Sequence, residues 1–350
     1  MADDSQPASA LRFPFETPPD FGQSLEVAGG VHWLRMPLGG SLAAINVWAL
    51  EDGDGWAIVD TGFGNAETIE VWRTALAGPL KGRPITRVFV THLHPDHIGA
   101  AGWLTRTFEC PLWISRLEFL MCRSLAADTG RTAPPDGLRF YREAGWSEEQ
   151  LGSYRARFGG FGHMLHALPD SFTRLSDGQG LDIGGRAWRV VVGSGHSPEH
   201  ACLACDELGL LISGDQVLPK ITSNVSVFPT EPMADPLSDW LVSLARLKTL
   251  VADDHLVLPA HNTPFFGLHR RIDDIIAHHR DALAGLLDML ALPRRATDVF
   301  PALFGRTISG ATMFMATGES VAHLNHLLGK GLAASACDAD GVRWYRARTG

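Results

Sequence analysis

The chain has 350 residues, 45% of them hydrophobic and 20% charged, with ten tryptophans; that is enough apolar surface for a full core and too much for a disordered chain. Its formal charge of −9 gives no broad positive field for a phosphate backbone, which disfavours nucleic acid as a partner. The first twenty residues are acidic and proline-rich, unlike a secretory leader, and no apolar run reaches membrane-spanning length, so a cytoplasmic protein with no membrane association is expected.

In chain order, short apolar or alternating runs from "VHWLRM" through "AAINVWAL" and "WAIVDTG" to "RVFVTH" predict strands joined by Gly, Asp and Pro turns. Helices are predicted over Ala66 to Leu76 and from His97 to about Phe108. Between Pro111 and Gly180 the pattern turns helical, with "RLEFLMCRSLAA", "GLRFYREAG" and "SEEQLGSYRARF", the last opened by a Ser147–Gln150 capping box. Strands resume in "RAWRVVVGSGH", "ACLACDELGLLISGD" and "HLVLPAH", and a helix opens at Asp235-Pro236 with Leu237, Leu241 and Leu244 on one face. After His261 a long helix repeats Ile272, Ile275, Ile276, Leu283, Leu286, Leu287 and Leu290 at helical spacing, and the tail reads as two helices and a small hairpin. Of five scattered cysteines, Cys202 and Cys205 form a CxxC, but without a second ligand pair they read as packed, reduced residues.

The chemistry concentrates in "THLHPDHIG". Residues two apart in an extended segment face the same way, so His92 and His94 can present two imidazoles to one ion, while Asp96 and His97 turn elsewhere as a helix begins. One strand-to-helix junction can thus feed two adjacent metal positions. The bland reading is that Asp96 caps the helix and the histidines lie in an exposed loop. Three further candidates also follow apolar strands: His196 after "VVVGSG", Asp215 after "LLISG" and His261 after "LVLPA".

From about Val31 to His261 the chain resembles the metallo-beta-lactamase superfamily. The resemblance implies an α/β fold, an αββα four-layer sandwich with a helical insertion at about 116–174 and a small C-terminal helical, winged-helix-like domain. The implied division is an N-terminal extension over 1–24, a catalytic domain over 25–264 and the tail over 265–350. It implies that His92, His94 and His196 hold a first metal, that Asp96, His97 and His261 hold a second, and that Asp215 bridges them. Asp60 of "DTG" matches a recurring aspartate that orients ligands, and Asn46 fits another family position. Asp215 stands where antibiotic-degrading members commonly use cysteine, which argues against beta-lactam cleavage. A donor set of nitrogen and oxygen suits two divalent ions, zinc first, with iron or manganese as alternatives.

Two adjacent cations generate a bridging hydroxide near neutral pH and need no protein nucleophile, and Asp96 is the candidate to steer that water or accept its proton. A thiolate leaves without much protonation, whereas an amine or alkoxide needs a positioned acid. The nearest acid candidate is His200, with a packed structural histidine as the plainer reading. An acyl thioester, acyl-CoA or acyl-glutathione, is therefore the first substrate expectation. "GHSPEH" resembles the "GHTPGH" of glyoxalase II-type thioesterases, with Glu199 in place of a glycine. Arg270 and Arg271 are candidates to meet a substrate carboxylate or phosphate, against the plainer reading of two solvated arginines. Phe140, Tyr141, Trp146 and Phe161 are either a pocket cap or core. The tail resembles a module found in an endoribonuclease branch, which makes RNA phosphodiester hydrolysis the rival reading. A lactonase ranks third and a non-enzymatic scaffold last. A small-molecule substrate is the expected partner, and self-association is left open.

Overall fold

The computed structural model describes residues 11–305 and 308–348. Seven strands form the first sheet in sequence order: β1 (Leu25–Ala28), β2 (Val31–Pro37), β3 (Ala44–Asp52), β4 (Gly55–Val59), β5 (Ile85–Phe89), β6 (Leu112–Ser115) and β7 (Thr173–Leu175). β1 to β4 pair antiparallel and β4 to β7 parallel. The second sheet runs β12-β11-β10-β9-β8, from β8 (Gly180–Ile183), β9 (Arg186–Gly193), β10 (His200–Cys205), β11 (Leu210–Gly214) and β12 (Leu256–Pro259). Only its β11–β12 pair is parallel.

Inner strands such as β4, β10 and β11 are buried on both faces, because each sheet has the other on one side and helices on the other. Trp33, Trp48, Val59 and Phe89 of the first sheet meet Trp188, Val190, Leu203 and Ile212 of the second in the central layer. Outside the first sheet lie α1 (Ala66–Ala77), α3 (Ala101–Phe108) and α4 (Arg116–Ala127), which bury Trp72, Leu104 and Phe119 against it. Outside the second lie α7 (Pro236–Leu250), α8 (Leu268–Met289) and α10 (Met313–Gly329), contributing Trp240, Ile272 and Leu324. This is the four-layer α/β sandwich that the resemblance implies, with a small C-terminal part made of α9 (Phe300–Phe304), α10 and the hairpin β13 (Ala333–Cys337) to β14 (Arg343–Ala347). No helix of the described residues is long and apolar enough to cross a membrane.

Three expectations need correction. The helix foreseen from His97 to Phe108 is two, a short α2 (Pro95–Ile98) and α3, because the Ala100 N–H turns away to bond the Gly62 carbonyl at 3.0 Å. The stretch from Pro111 to Gly180 is not wholly helical: β6 and β7 complete the first sheet, and at four and three residues they are too short for a periodic signal. The insertion is also not one layer. α4 packs on the first sheet, whereas α5 (Pro135–Glu143) and α6 (Glu148–Arg157) bury Tyr141 and Tyr154 in the core of α7, α8 and α10. Phe140, Tyr141 and Trp146 are core, with Tyr141 and Trp146 ring centroids 5.4 and 4.9 Å from that of Phe314 in α10, and Phe161 is half-buried against the first sheet's helical side.

The CxxC behaves as its strand setting dictates. All described cysteines are free; Cys202 faces the helices behind the second sheet, and Cys205 faces the central layer on its opposite side.

Leu203→Ala, in the layer between the sheets, is expected to cost about 2–5 kcal/mol in urea unfolding. Leu292→Ala, at a residue 62% exposed, is expected to stay within about 0.5 kcal/mol; equal losses would contradict the assigned layers.

Candidate metal centre

Five chain segments reach one edge of the sandwich as their strands end: Asp60 after β4, His92 to His97 after β5, His196 after β9, Asp215 after β11 and His261 after β12. The two sheets are tied there by backbone. The Ala201 N–H of β10 donates to the Thr91 carbonyl at 2.8 Å and the Asn46 N–H of β3 to the Ala260 carbonyl at 2.7 Å, while within the second sheet the Ala260 N–H donates to the Gly214 carbonyl at 3.0 Å and sets Asp215 beside His261. In "HLH" the chain is extended, so Leu93 faces the core while His92 and His94 face the opposite way, until Pro95 opens α2 and turns Asp96 and His97 around the junction.

The donors fall into two sets. His92, His94, His196 and Asp215 offer atoms within 4.8 Å of one another, and so do Asp96, His97 and His261. A tetrahedral zinc with bonds of about 2.0–2.1 Å has ligand atoms about 3.3 Å apart. His92 Nε2 lies 2.9 Å from His94 Nδ1 and 3.2 Å from His196 Nε2, and His196 Nε2 lies 3.3 Å from Asp215 Oδ2. The other carboxylate oxygen, Asp215 Oδ1, is 3.6 Å from His97 Nε2 and 3.5 Å from His261 Nε2, and Asp96 Oδ2 is 3.7 and 3.4 Å from the same two nitrogens. The two sets therefore share Asp215, one oxygen each. His97 Nε2 and Asp215 Oδ1 are fully buried with no hydrogen-bond partner, as lone pairs that converge on a cation would be.

The ring orientations point the same way. Each Nδ1 of His97, His196 and His261 faces an oxygen: Asp60 Oδ2 at 2.8 Å, the Asn224 carbonyl at 2.7 Å and the Ala44 carbonyl at 3.3 Å. With the proton on Nδ1, Nε2 keeps its lone pair for the centre. His92 Nδ1 meets the Thr91 hydroxyl at 3.0 Å, and that hydroxyl in turn donates to Asp60.

Asp60 holds a left-handed backbone (φ 62°) that aims its carboxylate back under the centre. One oxygen accepts the Thr91 N–H at 2.8 Å and the other faces His97. Burial alone would favour a neutral His97; the carboxylates of Asp60, Asp96 and Asp215 override it and hold the ring's pKa well above the usual 6.5. Burial together with neighbouring rings pushes His92 well down and His94 to about 3.

His200 is not placed as a substrate-facing acid. It is fully buried, its Nε2 accepts the Asp215 N–H at 3.1 Å, and burial lowers its pKa to about 3, so it has no proton to give. It supports Asp215 from below. A Cβ at Gly214 would sit 2.6 Å from the His200 ring, which explains the glycine between them. Arg271 also serves the framework, donating to the carbonyls of Leu218 and Ile221 at 2.5 and 2.7 Å, and Arg270 pairs with Asp274 at the surface at 2.9 Å. Asp96 makes no cap bond, contrary to the bland reading. Glu199 accepts the Leu117 N–H at 2.8 Å, bracing the start of α4.

Sequence reading missed Glu118, which is wholly buried between the two histidine segments. It accepts the Leu93 N–H at 2.9 Å and the Glu199 N–H at 2.8 Å, and burial raises its pKa. An acid inside the apolar run "LEFLM" was the available signal. Thr91 and Asn224 were equally unmarked as supports; Asn46, singled out by the resemblance, donates to the carbonyls of Pro259 and Asn262, on either side of His261, at 2.8 and 2.7 Å.

A family model described as metallo-beta-lactamase superfamily matches residues 41–261, and one described as metallo-beta-lactamase-like, C-terminal domain, matches residues 283–348. Among solved structures, a beta-lactamase domain protein from Burkholderia ambifaria is 38% identical with a TM-score of 0.89, over 97% of this chain and 98% of that one. Curated relatives are more distant. The lactamase-like protein nscB of Neosartorya fischeri is 24% identical over 78% of this chain. An atrochrysone carboxyl ACP thioesterase of Aspergillus fumigatus is 25% identical over 67%. The matches span 64% and 41% of those two proteins.

Without a metal, the carboxylates around His97 favour its protonated form against burial, and that proton must leave before Nε2 can hold a cation. Calorimetry in buffers of different ionisation enthalpy is expected to show proton release on metal binding, with affinity rising from pH 6 to 8. Asp60→Asn, which suits the same backbone, removes a carboxylate that keeps the proton on His97 and is expected to weaken metal binding about tenfold while reducing proton release.

Proposed function

The chain belongs to the metallo-beta-lactamase superfamily, and from that membership we propose a hydrolase that uses two divalent metal ions, zinc first, to cleave an acyl thioester. The observation that carries the reading is the shared Asp215, whose two oxygens each face one set of buried donors. Two cations held there would supply hydroxide near neutral pH and polarise the scissile acyl oxygen.

The chain's own groups account for the remaining requirements. His92, His94 and His196 hold one side, Asp96, His97 and His261 the other, and Asp215 spaces them. The Asp96 side chain is 19% exposed, against 10% or less for His97, His196, Asp215 and His261, which suits it to receive a proton from attacking water. His200 stays neutral beneath the floor, so a substrate whose leaving group needs an acid gains nothing from it. A thiolate, with a parent pKa around 8.5, departs unaided. That chemistry and the printed function of the Aspergillus fumigatus relative favour a thioester carried by coenzyme A, glutathione or a carrier protein.

Metal analysis of the purified chain is expected to find two divalent ions per molecule, with zinc, iron and manganese distinguished by the same measurement. Against acyl-CoA, acyl-glutathione, lactone and single-stranded RNA substrates, thioester turnover is expected to dominate. His196→Ala is expected to lower it by more than about a hundredfold, beyond the usual cost of losing an outer partner of a metal ligand. RNA cleavage without thioester turnover would replace the substrate reading and leave the metal reading standing.

A further inference from the structure

α10 belongs to the C-terminal part of the chain, outside the segment that carries the donors, yet it reaches the first donor set. The His196 Nδ1–H donates to the backbone carbonyl of Asn224 at 2.7 Å. The Asn224 side chain is clamped at both ends: its Nδ2 donates to Glu319 Oε2 of α10 at 2.6 Å, and its Oδ1 accepts the Ser226 hydroxyl at 2.5 Å. The next turn of that loop is tied to the same helix, with the Val227 N–H donating to the Gly318 carbonyl at 3.0 Å. Gly318 makes the approach possible, since a Cβ there would lie 2.7 Å from Ser226 Oγ and 3.0 Å from the Val227 carbonyl oxygen.

The helix itself is fixed from the far side. Trp146, between α5 and α6, donates its indole N–H to Thr317 Oγ1 at 2.9 Å, and Thr317 is fully buried. A chain of direct contacts thus runs from the helical insertion through Thr317, Glu319 and Asn224 to His196. Among the described residues, Glu319 is the acidic side chain bonded to Asn224, whose amide also makes a longer 3.4 Å bond to the Met315 carbonyl.

We infer that Glu319 is a positioning residue for the first metal: through Asn224 it fixes the carbonyl that sets the tautomer and direction of His196, making the C-terminal part of the chain a component of the metal centre. The inference rests on His196 holding a metal, as proposed above. The Glu319 carboxyl oxygen accepts from Asn224 and orients the loop, and the carbonyl then orients the ring, as outer-shell partners of ligating histidines do.

The test is metal affinity of the full chain, read by competition with a chromophoric chelator, together with the bound metal count at limiting zinc. Glu319→Ala is expected to lose about 10–100-fold in affinity for one of two ions, so that the count falls from two towards one. Glu319→Gln, whose amide oxygen can still accept from Asn224, is expected to stay near the wild type. Should Glu319→Ala not fold, Asn224→Ala leaves α10 unaltered and carries the same expectation. Unchanged affinity in the alanine variant, or equal losses in the alanine and glutamine variants, would overturn the role assigned to Glu319. Failure of the underlying reading looks different: His196→Ala would then bind metal as the wild type does.

Discussion

Seven electron-pair donors are crowded into a nearly dry edge of the sandwich, and the rest of the molecule is arranged so that they do not fly apart or fill with protons at random. Burial first, and then repulsion between imidazoles this close once charged, drives His92 and His94 towards the neutral form. Asp60, Asp96 and Asp215 supply the opposite charge and concentrate it on His97. The balance is local and directional. Asp60 sits below the junction, accepts the Thr91 N–H and faces His97, so one buried carboxylate sets both the path of the chain and the polarity of the ring above it.

The support reaches well beyond the sheets. Glu118 of α4 joins the backbone between His92 and His94 to the backbone after His196, and Glu319 of α10 approaches His196 from the other side through Asn224. Both carboxylates come from helices rather than from the strands of the two sheets. α5 and α6, in turn, share an aromatic cluster with α10, with Tyr141 and Trp146 packed on Phe314. α5, α6 and the tail therefore share one core with α7 and α8.

The donors were legible because each lies just beyond an apolar strand, and because "HLHPDH" carries two-residue spacing followed by a proline that starts a helix. The longer strands were legible for a related reason, their apolar runs, while the sandwich they build was implied by the family resemblance. β6 and β7 were not, since four and three residues carry no period and are fixed only by pairing with β5 and with each other. His200 and Arg271 illustrate a different limit. Their position near the motifs is visible in sequence, but burial of the one beneath Asp215 and capture of the other by the Leu218 and Ile221 carbonyls are tertiary facts. Glu118 lies 25 and 81 residues from Leu93 and Glu199, and Glu319 lies 95 residues from Asn224, so no local pattern announces either.

The CxxC shows how the same strand geometry governs chemistry that the centre does not use. Residues three apart on β10 point to opposite sides of the sheet, and Cys202 and Cys205 are accordingly sealed into different layers. They can neither bridge to each other nor chelate together, and burial raises the Cys202 thiol above its ordinary range. Oxidants would instead meet Cys337, exposed on the C-terminal hairpin, so ageing of the protein in air should begin as links between molecules at that hairpin, leaving the sealed pair reduced.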